Sequence, residues 1–201
     1  VLIEHQSSPD PLMPFRVLSY VVRLCDSVLA KEPKRKSLPA VIPIVLHHGK
    51  TPWNTARDLH EIIDLDAGLK SELAPYLPQM RFVLDDLSQQ TDEQLRSRAL
   101  TNLALLTAWS LENLPHSKAP IADFKRILDV FAAVALAPRG HDALTAVLHC
   151  FMEVSEPEPD EIRKALQERV SQPTVETLMS TAEKLRAQGR VEGEARGEAR
   201  G

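Results

Sequence analysis

The chain has 201 residues, 43% hydrophobic and 26% charged, with 15 Pro, 7 Gly and 2 Cys. This is enough apolar material for one globular domain or a domain with an appendage, yet no run approaches the roughly 18 apolar residues of a membrane-spanning helix. A formal net charge of -4 gives no basic field for indiscriminate nucleic-acid binding, and Cys25 and Cys150 lack metal-finger or redox spacing. With no signal-peptide anatomy at the N-terminus, a reduced, cytoplasmic protein is expected.

Residues 1–6 (VLIEHQ) are apolar and β-branched, and turn polar at Ser7-Ser8-Pro9-Asp10-Pro11. That is a short buried strand ending in a turn, and its start inside an apolar run reads as the start of a fragment. Asp10 is the expected N-cap of the following helix. Leu18, Val21, Val22, Cys25 and Leu29 repeat at helical spacing over 12–30, until Pro33 stops the helix in the basic loop 31–37. Residues 38–47 read as a second buried strand, and Pro39 and Pro43 argue for an edge or a strand end rather than a central ladder. A turn follows at 48–54 by composition. Residues 55–78 are mixed, with short helical patches broken by Gly68, Pro75 and Pro78, and residues 80–84 predict a third strand closed by Asp85-Asp86.

Beyond Thr91 every signal is helical. Thr91 and Gln94 match a capping box. Three apolar stripes predict core: Leu100, Leu103, Leu111 and Leu114, then Ile121, Phe124, Leu128, Phe131 and Ala135, then Leu144, Val147, Leu148, Phe151 and Met152. An acidic linker at 156–160 follows, with Asp160 as cap of a short helix through Val170. The order is therefore an α/β part and then an all-helical half. From Thr174 the chain is charged and ends in glycines four apart, Gly189, Gly193, Gly197 and Gly201. Each Gly costs a helix about 1 kcal/mol against Ala, while the Glu192/Arg196 pair returns only about 0.2–0.5, so this tail is expected to fray when alone.

On a strand, residues two apart share a face, so Glu4 and Gln6 project together and Ile3 and His5 oppose them. A carboxylate beside an amide at a strand end fits either a solvent-facing edge or half of a site for a hard divalent cation, since Mg²⁺ takes one or two carboxylates and otherwise keeps water or phosphate. Arg16 and Tyr20 are one helical turn apart. Spacing equally fits phosphate gripping by Arg16 and a structural pairing of Arg16 with Glu4 or Asp10 while Tyr20 fills core. His47 and His48 point to opposite faces of a strand and do not ligate one metal together; backbone-satisfied histidines are the plainer reading. Lys34, Arg35 and Lys36, with Lys31 against Glu32, form the strongest electrostatic candidate for a DNA backbone contact, and Lys50 sits in a turn where it meets phosphate or solvent. Asp85-Asp86 read as capping and turn chemistry. No Walker loop, G-x-S-x-G elbow, G-x-G-x-x-G or H-E-x-x-H is present.

The strings IEHQSSPDPLMPFRVLSY, LPAVIPIVLHHGKTPW and MRFVLDDLSQQTDEQL, in this order, resemble the recombination-promoting nuclease family, transposases of the PD-(D/E)XK nuclease type, over at least residues 1–96. The Gly-spaced tail is similar to that family's C-terminus. The resemblance implies a restriction-endonuclease-like core, incomplete at its N-terminus, over 1–90, a helical subdomain over 91–155, and a linker, short helices and tail over 156–201. It implies metal-assisted hydrolysis of a DNA phosphodiester, with Glu4 holding Mg²⁺ or another divalent cation and the His5 backbone carbonyl supplying a further oxygen. Gln6 matches the position where most nucleases of this superfamily carry Lys. It orients a water but neither takes its proton nor supplies positive charge. Arg16 and Tyr20 match the family's R-x-x-x-Y and, with Lys34, Arg35, Lys36 and Lys50, are the implied DNA contacts. The family's preceding Asp would lie upstream of Val1, so weak Mg²⁺ binding and slow cleavage are expected of this chain. An inactive relic serving protein association, a DNA-binding module without cleavage, and a homo-oligomer through the helical half or tail stay open.

Overall fold

The computed structural model describes residues 1–155 and 157–198, and their side chains except at 67, 116 and 192–198. The chain divides into two compact units, Val1–Gln90 and Thr91–Gly201. Among the described residues no helix is long and apolar enough to cross a membrane.

In the first unit, β1 (Leu2–Gln6) leads through a turn to α1 (Met13–Lys31), which returns the chain to β2 (Pro43–His47); β3 (Val83–Asp86) follows after short helical turns and α2 (Ala67–Leu73). Among the described residues the strands form one sheet in the order β1-β2-β3, parallel throughout, with Glu4 opposite Val45, Gln6 opposite His47, and His47 opposite Asp86. The alternation that sets Glu4 and Gln6 on one face sets Val45, His47, Leu84 and Asp86 on that face too. Under α1 it is apolar at the strand starts: Met13, Val17, Val45 and Phe82 form the buried cluster, with Leu2, Val21, Trp53, Met80 and Leu84 against it. Toward the carboxyl ends the same face turns polar. The other face carries Ile3 and Val83, which stay 65% and 55% exposed.

Several expectations are corrected here. Of the two readings of the prolines, the strand end holds, since Pro43 is the first residue of β2, where a missing N–H is tolerated; the edge does not, because β2 is the central strand. Residues 38–42 precede the strand, and β3 extends through Asp86 instead of closing at Leu84. Asp10 does not cap α1. The N-cap position is Leu12, without a side-chain cap, and Asp10 instead accepts from the Leu12 N–H at 2.8 Å, as Asp does in a tight turn. Val22, one of the apolar residues at helical spacing, is 49% exposed, whereas Met13 and Val17 are buried.

In the second unit, α3 (Asp92–Ser97) starts with the expected reciprocal capping box between Thr91 and Gln94. Next come α4 (Asn102–Asn113), α5 (Pro120–Lys125), α6 (Leu128–Ala135), α7 (Gly140–Ser155), α8 (Pro159–Gln167) and α9 (Gln172–Glu198). Phe124, Phe131 and Phe151 meet in the core, the first and last stacked with centroids 4.8 Å apart. Of the expected stripe of Leu100, Leu103, Leu111 and Leu114, only Leu114 is buried. Thr101 caps a new helix after Leu100, which shifts the inward face to Leu105, Leu106, Ala108 and Trp109 and leaves Leu103 exposed. Asp160 lies in the first turn of α8, whose N-cap is Glu158. The C-terminal segment is more than a frayed appendage, because Val175, Leu178, Met179 and Ala182 of α9 are fully buried. Gly193, Gly197 and Gly201 belong to the residues whose side chains or placement lie outside the description.

Candidate functional site

Parallel topology requires α1 to start at the carboxyl ends of the strands, so its first turns lie over the polar end of the sheet face. There Arg16 reaches Glu4. Gln6 Nε2 donates to Glu4 Oε1 at 2.8 Å, and Arg16 Nη2 donates to the same oxygen at 3.1 Å. Glu4 Oε2 accepts neither bond. Arg16 Nη1 donates to Asp10 Oδ2 at 2.8 Å and Nη2 also to the Tyr20 hydroxyl at 3.2 Å. One guanidinium thus gathers two carboxylates, and all three side chains are only partly exposed, at 38% for Arg16, 24% for Glu4 and 26% for Asp10. The Arg16 contact, against the opposing cost of burial, holds the Asp10 carboxyl below its ordinary range. Asp10 and then Tyr20 raise the guanidinium in turn. The structural pairing and the clustered site are the same set of bonds.

The His5 carbonyl has a definite place as well. Leu2 N–H donates to Ile42 and His48 N–H donates to Gln6 O, so the even-numbered residues of β1 face β2. By alternation His5 turns its main-chain groups to the open edge. Its carbonyl is not used by the ladder with β2.

Around this cluster the loop after β2 is drawn in tightly. The His47 ring, fully buried, lies 3.0 Å from Gln6 O and 2.8 Å from Thr51 O, and meets Trp53 edge-on at 5.4 Å. His48 is on the opposite side, with its ring 5.8 Å from that of His5. Gly49 is required here: a Cβ would stand 2.3 Å from Ser7 O and 2.7 Å from His47 Cε1. Asp86 accepts from the Trp53 N–H at 2.8 Å and the Ser88 N–H at 3.0 Å. Burial pushes its carboxyl up, but these bonds outweigh it and the net shift is downward. The Asp85-Asp86 pair therefore does turn chemistry through Asp86 but caps no helix, that role falling to Thr91.

The residues singled out in the sequence separate into two groups. Glu4, Gln6, Arg16 and Tyr20 are bonded together, and exposed Lys50 follows β2 at the same end of the sheet. Lys34, Arg35 and Lys36 lie beyond Lys31, the last residue of α1, about 22 Å along the helix axis from Arg16. Lys34 and Lys36 are exposed, whereas Arg35 donates to Ser37 O at 2.7 Å and Glu32 Oε2 at 3.1 Å. Asp10, read from the sequence both as the cap of α1 and as a structural partner of Arg16, takes the second role. The available signal was its position in the turn joining the Glu4 strand to a helix with an arginine in its first turn.

As a cation site the cluster offers one open carboxylate oxygen, a main-chain carbonyl at the strand edge and an amide. Among the described residues no three His, Cys, Asp or Glu side chains converge as a metal-binding group. This donor set fits a hydrated hard cation that keeps most of its waters, and does not fit an all-protein cage.

Residues 1–133 match the protein family described as "Putative transposase, YhgA-like". Over 95 residues, 47% of this chain, the sequence is 30% identical to the recombination-promoting nuclease RpnA of Escherichia coli (strain K12). The match covers 30% of that relative's length. No solved structure shows significant similarity to the chain.

Proposed function

Because the chain belongs to the YhgA-like transposase family and is similar to a recombination-promoting nuclease, we propose that it is the part of a divalent-cation-dependent DNA endonuclease that carries Glu4 and Gln6, acting in DNA recombination or transposition in the cytoplasm. The strand–helix–strand–helix–strand order of residues 1–90 then belongs to a restriction-endonuclease-like core. The observation that carries the reading is the Glu4–Gln6–Arg16 cluster: a carboxylate with one oxygen open, an amide on the same strand face, and a guanidinium at 3.1 Å.

Glu4 Oε2 and the His5 carbonyl would hold Mg²⁺ or a similar cation, which when bound polarises a phosphoryl oxygen and lowers the pKa of a water. Gln6 spends its Nε2 on Glu4, which leaves its amide oxygen to accept from and orient a water. It has no basicity with which to remove a proton, so the attacking water loses its proton to solvent. Arg16, shared with Asp10, supplies positive charge next to the scissile phosphate in the place of the lysine that Gln6 replaces. Tyr20 steadies it, and Lys50 contacts a neighbouring phosphate. Lys34, Arg35 and Lys36 reach the DNA backbone at a separate place, beyond the other end of α1. Of the residues in this chain we assign one carboxylate to the cation, and a single carboxylate holds Mg²⁺ weakly; residues 1–201 alone should nick DNA slowly.

The absence of a three-ligand group among the described residues favours a second reading, a relic or module that binds DNA or protein without cutting. Plasmid nicking by the product of the complete reading frame, with Mg²⁺, Mn²⁺ or chelator, beside Glu4→Ala separates the two. The nuclease reading expects metal-dependent nicking that falls at least about 100-fold in the variant, on the scale of losing an electrostatic catalytic contact, while DNA affinity is retained. No nicking under any metal, with DNA affinity indifferent to Glu4, leaves the second reading standing.

A further inference from the structure

An arginine facing a single carboxylate tends to close on it as a two-pronged fork, taking both oxygens. Arg16 does not do this to Glu4. Its two terminal nitrogens are split, Nη1 to Asp10 Oδ2 at 2.8 Å and Nη2 to Glu4 Oε1 at 3.1 Å, and the Tyr20 hydroxyl takes a further bond from Nη2 at 3.2 Å. The shorter contact is the one to Asp10. Asp10 is itself fixed: its Oδ1 accepts from the Leu12 N–H at 2.8 Å, and its carbonyl accepts from the Met13 N–H at 3.1 Å and from the Thr55 hydroxyl at 3.3 Å. It is a rigid anchor built into the turn between β1 and α1, and its remaining oxygen is committed to Arg16.

We propose that Asp10 is a positioning residue that holds Arg16 away from the second oxygen of Glu4 and so keeps that oxygen available to a divalent cation. The proposal rests on the reading of Glu4 as the cation-binding carboxylate. Without Asp10, Nη1 is released and the guanidinium closes on both oxygens of Glu4, competing directly with the cation. With Asp10, the guanidinium stays beside the site as a fixed positive charge. Asp10→Asn is the selective probe: the amide oxygen still accepts from Leu12, so the turn persists, but its NH₂ group faces Nη1 donor to donor and cannot hold it.

The test is Mn²⁺ affinity by calorimetry in the complete gene product for the parent, Glu4→Gln, Asp10→Asn, Arg16→Gln and the double variant Asp10→Asn/Arg16→Gln, with thermal melts confirming folding. The expected result is loss of Mn²⁺ binding in Glu4→Gln, affinity about tenfold weaker in Asp10→Asn, and affinity in the double variant within about twofold of Arg16→Gln alone. That rescue by removing the arginine is the signature, because a merely structural aspartate or one that itself ligates the metal would be missed equally with Arg16 present or absent. An Asp10→Asn protein with parental affinity, or an equal loss in both backgrounds, overturns the proposal and leaves the Glu4 reading intact. Mn²⁺ binding that is absent in the parent or indifferent to Glu4→Gln overturns both.

Discussion

In the helical unit Trp109, Phe124, Phe131 and Phe151 have at most 1% of their surface exposed, and the ion pairs, such as Arg96–Asp129 and Arg126–Asp92, lie on the outside. In the α/β unit one sheet face passes within two residues of each strand from apolar packing at Val45 to a bonded polar group at Glu4, Gln6 and His47. The first arrangement stores its stability in non-directional apolar burial. The second ties chain segments together by directional bonds through Arg16, His47 and Asp86, which hold functional groups at set positions. The candidate site accordingly lies in the α/β unit, although its buried apolar cluster is the smaller one.

The comparison breaks first at Phe124. Its replacement by Ala empties the stack on Phe151 and the edge contact with Phe131 at 5.5 Å, and should lower the stability of the helical unit by about 3–5 kcal/mol; a urea melt followed by Trp109 fluorescence reads the shift, and a loss under 1 kcal/mol would deny that the aromatic core carries this unit. Gly49→Ala tests the α/β unit with a single methyl. A Cβ 2.3 Å from Ser7 O should cost about 1–3 kcal/mol as an overpacked contact, visible as a lower denaturation midpoint and a displaced His47 resonance. At Thr91, replacement by Ala removes the bond to the Gln94 N–H and half of the capping box, an expected loss of about 1 kcal/mol from the same urea melt.

The smallest effect sharpens the contrast through pH. Asp10 and Asp86 both sit below their ordinary range in the folded chain. A carboxyl depressed by folding contributes stability that is complete above its unfolded pKa, about 3.9, and is lost as pH falls through the lower folded value. The α/β unit should therefore lose stability as pH falls from about 4, and Asp86→Asn should flatten that acid limb. A melt series from pH 6 to 2 by Trp53 fluorescence checks it; identical slopes in parent and variant would remove Asp86 as a source.

Much of the site was legible because strand and helix periods are geometric. Alternation alone puts Glu4 and Gln6 together, and the four-residue helical step alone puts Arg16 over Tyr20. Likewise the Thr91–Gln94 box and the Phe124, Phe131 and Phe151 core follow from local pattern. For Asp10 the sequence left two roles open, cap of α1 or partner of Arg16, and only the folded turn selects the second. The sequence offered Lys34, Arg35 and Lys36 as a DNA contact without saying how far they stand from Arg16, a distance that the length of α1 sets.

What the sequence determined by itself is therefore what depends on neighbours a few residues apart: the order of strands and helices, the shared face of Glu4 and Gln6, the capping box, and a family resemblance carried by short strings. Only the tertiary structure decided that Pro43 opens a central strand, that α9 completes a core through Val175, Leu178 and Met179, and that Arg16 is divided between Glu4 and Asp10. Those outcomes depend on contacts between segments distant in sequence, which no local period encodes.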